Sequence, residues 1–170
     1  MKSKRNDNNN IYRMVYRDDG RNGYPPCLWR ETMSDNWVND IGKMHDQFGV
    51  TDWVFDHTEI GNDKIKELMK LRMRMLTEEF SETMNAYLQG DAEEFVDGLI
   101  DLCVIAIGTL DISGVDASRA WNSVLDANTS KSVGVKPGRP NPLGLPDLIK
   151  PSDWKAPDHS DNHGSLKEIL

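Results

Sequence analysis

Residues 78–110 read EEFSETMNAYLQGDAEEFVDGLIDLCVIAIGTL. The stretch joins two helical patterns at a single glycine and sets carboxylates among residues of core type. Upstream of Gly90, Phe80, Met84 and Tyr87 continue an apolar register that begins at Ile65, Leu68, Met69 and Leu76. Asn62 is a suitable N-cap for it, so the spacing predicts one long helix from Asn62 to Gly90. Downstream, Asp91 as N-cap and Glu94 at the third helical position form a capping-box pattern that opens another helix. From Phe95 to Leu110 that helix is apolar around most of its circumference, the mark of an element buried on several sides. The joint at Gly90 is short, so the two helices are expected to run antiparallel.

Working outward, Trp37, Ile41, Met44 and Phe48 form a helical stripe between Ser34, a suitable N-cap, and Gly49, which predicts a helix over about 35–48. Residues 50–61 read as a connector whose aromatic residues pack back on the core. Asp116 is placed to cap a last helix through Ala120, Trp121, Val124 and Leu125, ending around Asn128 to Lys131. After Lys131 six of the eight prolines fall between Pro137 and Pro157, so no long helix continues there. That segment is either a disordered tail or an extended arm pinned by Leu143, Leu145, Leu148, Ile149 and Trp154, and the regular apolar residues favour the arm. The expectation is an all-α bundle of four main helices over residues 34–132, an N-terminal arm over 1–33 with IYRMVY as a short strand or part of the arm, and a Pro-rich extended tail over 133–170. The largely apolar helix after Gly90 has too many faces for a small bundle to cover within one chain, which points to a homo-oligomer.

With 170 residues and 38% hydrophobic content, the chain suffices for one core. A net charge of −8 disfavours nucleic-acid binding, which works by displacing counterions with Lys and Arg. Anionic small molecules stay compatible with that charge where divalent metals supply the positive field. Cys27 and Cys103 do not make a disulfide framework, and Cys103 sits in an apolar run as a small hydrophobe. The start MKSKRNDNNN has no apolar segment behind it, and the longest apolar run, 102–110, is too short to span a bilayer. A soluble, cytoplasmic protein without membrane or nucleic-acid partners is expected.

At about 100° per residue, Glu78, Glu79 and Glu82 share one face of the helix before Gly90, and Glu94, Asp97 and Asp101 share one face of the helix after it. Acidic helical surfaces are usually just solvated, and that reading suits Glu78. It weakens for Asp97 and Asp101, which interrupt an apolar helix, because an unpaired buried carboxylate is costly or forced to protonate. Glu94 is explained equally by the capping box and by a ligand role. Carboxylates packed this closely call for a cation, and hard oxygen donors suit Mg²⁺, with Mn²⁺ as a substitute. His45, beside the first apolar stripe, is either a core-edge histidine or a contact to a nucleobase, and Trp37 is divided the same way. Lys150 and Trp154, in PDLIKPSDW, either pack on a neighbouring subunit or close over a nucleotide. His159 and His163 have metal-like spacing, but a solvated tail explains them better. No P-loop, GxGxxG, CxxC or Ser-His-Asp signature is present.

The ordered acids, E-E-x-x-E and then E-x-x-D, resemble the all-α nucleoside triphosphate pyrophosphohydrolases, the superfamily of MazG, dimeric dUTPases and phosphoribosyl-ATP pyrophosphohydrolase. WVNDIGKMHDQFGV, VDGLIDLCVIAIGTLDISGVD and VLDANTSK are similar to that superfamily's first helix, third helix and closing S-N-x-S-K motif, so the resemblance covers about residues 35–135. It implies a four-helix MazG-like fold with active sites built in homodimers or homotetramers. It implies Mg²⁺ held by Glu79, Glu82, Glu94 and Asp97, with Glu78 or Glu79 activating water and Asp101 holding a metal-bound water or a substrate hydroxyl. Asn128 and Lys131 would contact the triphosphate, although Ala127 replaces the usual Ser of that motif. The implied reaction is Mg-dependent hydrolysis of a nucleoside triphosphate to a monophosphate and pyrophosphate, on dNTPs in nucleotide-pool housekeeping. Phosphoribosyl-ATP hydrolysis is the alternative reaction, which the arm and the Pro-rich tail disfavour. A catalytically inert acidic binding module is the alternative class, disfavoured because all five motif acids are present.

Overall fold

The computed structural model describes residues 36–58, 63–136, 138, 142–143 and 147–170, all within one compact unit spanning 36–170. The arm over 1–33, Ser34, Asn62 and Leu145 lie outside the described residues. Six helices and one small sheet occur among the described residues: α1 (Trp37–Gln47), α2 (Val50–Asp56), α3 (Asp63–Gln89), α4 (Ala92–Ile112), α5 (Ala117–Thr129), β1 (Ser132–Gly134), β2 (Asp147–Ile149) and α6 (Leu166–Ile169). The protein is all-α apart from the β1–β2 ladder, as the periodicity predicts.

Gly90 sets the path of the long pair. At φ 72° it takes the left-handed conformation that ends α3, and the Asp91 N–H then reaches back to the Ala86 carbonyl at 3.0 Å. Asp91 turns its side chain the other way and accepts from the N–H groups of Glu93 and Glu94, both at 3.2 Å, so α4 starts at once. The same device recurs after α4: Gly114 at φ 68° closes the helix, and Asp116 accepts from Arg119 N–H at 2.9 Å to open α5. Asn36 caps α1 by accepting from Asn39 N–H at 3.1 Å.

Two local expectations are corrected. Residues 50–56 are a helix, not a connector, because Gly49 at φ 71° stops α1 and leaves Val50 free to begin a new turn. Its aromatic residues do not return to the core: Phe55 is largely exposed, and Trp53 stacks on His57 with ring centroids 4.3 Å apart. The second correction concerns burial of α4. Only Gly98, Ile105, Gly108 and Thr109 of this helix are buried, while Val96 is 60% exposed and Leu99 and Ile100 are also open. α3 and α1 cover one side of it, and this chain supplies nothing over the rest.

Apolar core residues are correspondingly few: Ile41, Met69, Ala86, Ile105, Val115, Ala117 and Ala127. Beyond α5 the chain forms the antiparallel ladder Ser132↔Ile149, Val133↔Leu148, Gly134↔Asp147. Gly134 is needed there, since a Cβ would fall within 3.0 Å of the Ile149 side chain. Leu143 and Leu148 do not pin this segment; both are exposed. Polar bonds hold it instead. Trp154 Nε1–H donates to the Ala127 carbonyl at 2.6 Å, and Asn162 exchanges two 2.9 Å bonds with the Asp116 backbone. Arg119 pairs with Asp161, and Ser165 N–H donates to the Ser113 carbonyl at 2.8 Å. His159 and His163 are therefore not in a solvated tail: both are half-buried, with Nδ1 atoms that are covered and unpartnered among the described residues.

Candidate active site

The acids are brought to one level of α3 and α4 by a contact that no acid makes. Thr83 is 4% exposed, and a Cβ added at Gly98 would lie 3.2 Å from the Thr83 Cβ and 3.3 Å from its Cα, with its hydroxyl nearer still. The absence of a side chain at Gly98 thus lets the two helices approach closely at this level. Thr83 Oγ1 donates to the Glu79 carbonyl at 2.7 Å, so its hydroxyl is satisfied inside the seam.

On either side of the seam stand Glu79 and Glu82 of α3 and Asp97 and Asp101 of α4. The Glu79 carboxyl is pushed above the usual carboxylate range, first by partial burial and then by the negative charges of Asp101, Glu82, Asp97 and Glu78. Five of the six sequence-predicted acids therefore share one electrostatic neighbourhood. Glu79 and Asp101 are half-buried; Glu78, Glu82 and Asp97 are exposed.

Glu94 stands apart from that set. It is exposed in the first turn of α4 and is not among the charges acting on Glu79. Its capping explanation also lapses: the Asp91 N–H that a capping-box carboxylate would take is already given to Ala86, and the Glu94 side chain makes no hydrogen bond among the described residues. Only the Asp91 half of the box is formed.

Hard carboxylate oxygens of one charge in one neighbourhood are the donor chemistry that Mg²⁺ takes. Among the described residues, however, no three Asp, Glu, His or Cys side chains stand close enough to hold an ion. The acids are a neighbourhood open to solvent. A concavity of about 470 Å³, lined in part by Asp46, Phe55, Asp111 and Ser165, lies at the far end of α4 and contains none of them.

The remaining sequence-predicted residues fall into two other places. His45 is in the core at 3% exposure, with Nδ1 2.5 Å from Asp111 Oδ2. Beneath it, a Cβ at Gly108 would come within 3.1 Å of the imidazole, so glycine makes room for the ring. Beside it, Arg72 donates to Thr109 Oγ1 at 3.1 Å and to the Ile105 carbonyl at 2.8 Å, and burial draws its guanidinium below its ordinary value. Arg72 lies two helical turns before Glu79, roughly 11 Å along the axis, and is committed to α4. Sequence reading missed this His45–Asp111 and Arg72–Thr109 network. Its signal was a basic residue one register off the apolar face of α3, opposite a threonine and a glycine in an apolar helix.

Asn128, Lys131 and Lys150 meet at the end of α5. Lys131 Nζ donates to Asn128 Oδ1 at 2.7 Å, and the ammonium groups of Lys131 and Lys150 lie 5.6 Å and 4.0 Å from the Trp154 ring centroid. Trp154, singled out in sequence only as a partner for Lys150, is the residue that joins them.

No helix among the described residues is long and apolar enough to cross a membrane. No curated protein matches the chain. A family model does match: that described as phosphoribosyl-ATP pyrophosphohydrolase, over residues 56–128. The matched segment contains α3, α4, nearly all of α5 and every acid of the cluster, and stops short of Lys131 and Lys150. Residues 56–128 thereby link the chain to the MazG-like all-α nucleoside triphosphate pyrophosphohydrolase superfamily, whose members are hydrolases acting on phosphoric anhydride bonds.

Proposed function

We propose that this pyrophosphohydrolase cleaves nucleoside triphosphates, dNTPs foremost, to the monophosphate and pyrophosphate in an Mg²⁺-dependent reaction that serves the nucleotide pool of the cytoplasm. The observation that carries the reading is the negative charge of Glu78, Glu82, Asp97 and Asp101 converging on the half-buried Glu79. Carboxylates held together against their own repulsion are stabilised by a hard cation, and a polyphosphate needs the same cation to approach them. Glu79, Glu82, Glu94 and Asp97 are the proposed ligands. Bound there, Mg²⁺ would supply Lewis acidity toward the phosphoryl oxygens and offset charge on the departing pyrophosphate.

The other steps belong to the chain. Glu78 or Glu79 takes the proton of the attacking water; the upward shift of the Glu79 carboxyl strengthens it as a base relative to an ordinary carboxylate. Asp101, half-buried one turn from Asp97, orients a water or a substrate hydroxyl. Asn128 and Lys131 hold the triphosphate, Lys150 contributes to the same end, and His45 acts only through the packing of α1 on α4. A second copy of the chain is proposed to complete the site, since the acids line no enclosed pocket and the apolar faces of α4 and α5 flanking them are open.

A second reading is supported by the description of the matching family model: phosphoribosyl-ATP as the substrate. It carries the same diphosphate linkage, so the acids would act identically on it. A panel of NTPs, dNTPs and phosphoribosyl-ATP with Mg²⁺, assayed for pyrophosphate against orthophosphate, separates the readings. Turnover of a dNTP with pyrophosphate release is expected. Cleavage of phosphoribosyl-ATP alone would replace the first reading with the second, and orthophosphate as the product would reject both.

A further inference from the structure

The β1–β2 ladder places two lysines against each other. In register Ser132↔Ile149, the next positions outward are Lys131 and Lys150, and both ammonium groups gather over the Trp154 indole, at 5.6 Å and 4.0 Å. Like charges directly opposite on adjoining strands repel. Neither is relieved by an ion pair among the described residues, although the chain carries 28 acidic residues against 20 basic ones. What holds the arrangement is neutral: the Trp154 N–H to the Ala127 carbonyl at 2.6 Å, the Asn128 amide oxygen on Lys131 at 2.7 Å, and the face of the ring. The fold therefore fixes the positions of two adjacent cations and leaves their charge uncompensated.

We propose that Lys131 and Lys150, set by Trp154, form a diphosphate-binding subsite, with Lys150 the contribution of the tail that follows the family-like segment. Two ammonium groups on one ring suit two adjacent phosphoryl groups better than a single carboxylate. The carbonyl end of α5 repels anions, so the lysines and not the helix terminus carry the binding. A positive spot on an otherwise negative molecule also directs a polyphosphate to this place. Identifying the diphosphate with that of the substrate rests on the pyrophosphohydrolase reading; the binding itself does not.

The test uses the full chain with EDTA present, so that the acids cannot recruit phosphate through a metal, and inorganic pyrophosphate as the probe in a calorimetric titration. Lys150→Gln is expected to weaken binding by about tenfold or more, as loss of a charge-assisted bond does, and Lys150→Arg to retain most of it. The Trp154 indole resonance of the wild-type chain should shift on titration with pyrophosphate, a readout that needs no variant. Equal affinity in wild type and Lys150→Gln, a lower melting temperature with affinity unchanged, or an unmoved Trp154 resonance would each overturn the subsite. If Lys150→Gln also raises KM for the nucleotide more than it lowers kcat, the bound diphosphate is that of the substrate; an unchanged KM with weakened pyrophosphate binding assigns the site to the free product. A chain inactive on every nucleotide that still binds pyrophosphate through Lys150 keeps the subsite and rejects the hydrolase reading.

Discussion

Glu79 is the residue at which sequence, structure and chemistry meet. Its helical position was readable from the spacing of Glu78, Glu79 and Glu82, but its partial burial was not, because that depends on how closely α4 approaches. Asp97 shows the converse. Its place in an apolar helix suggested burial, yet it is exposed, because the faces of α4 that flank it are uncovered in one chain. Glu94 was balanced between cap and ligand on spacing alone; the bond from Asp91 N–H to Ala86 removes the capping role, a choice made by the αL geometry of Gly90. If these acids bind a cation, Mg²⁺ stabilises the folded chain by mass action. At roughly a hundredfold excess over Kd the melting temperature should rise by roughly 5 °C or more beyond the effect of NaCl at equal ionic strength. Differential scanning fluorimetry checks this, and the chain carrying Glu79→Gln with Glu82→Gln should show no difference between the two salts.

The pairing of α3 with α4 was the most legible element of the fold, since Gly90, Asp91 and two apolar registers all specify it. Its closeness at one level was not legible: a glycine in a helix interior weakens a helix unless something needs the space, and only the structure identifies Thr83 as what needs it. Gly98→Ala is expected to cost about 1–3 kcal/mol by overpacking, measured by urea denaturation. Thr83→Ala in the same chain should recover part of that loss, because the hydroxyl that the new methyl meets is gone; strictly additive losses would show that the crossing does not depend on this contact. The β1–β2 ladder was missed altogether. Val133 and Leu148 are the apolar residues of strands too short for alternation to register, and the pairing is held by polar bonds from Trp154, Asn162 and Ser165 that composition does not announce.

At the scale of the molecule, the described chain leaves much of its apolar material uncovered. Phe80 and Tyr87 of α3, Val96 and Leu99 of α4, and Trp121 and Leu125 of α5 are all exposed, beside a core of seven buried apolar residues. Exposed apolar area on this scale marks an interaction surface, and the proposed occupant is a second copy of the chain. Sedimentation velocity at micromolar concentration should therefore show a homodimer or homotetramer, and a double substitution, Leu99→Arg with Trp121→Arg, should shift it to monomer with loss of turnover. A wild-type monomer that turns over substrate would contradict a shared site. The central claim is narrower than the assembly: the acids at the α3–α4 crossing perform the hydrolysis. It is tested most directly by product analysis of wild-type and Glu82→Gln chains side by side on the preferred nucleotide with Mg²⁺. The account predicts monophosphate and pyrophosphate from the wild type, and a loss of about a hundredfold or more in kcat/KM, about 2.7 kcal/mol of transition-state stabilisation, in the folded variant. Equal turnover by the two chains would contradict it.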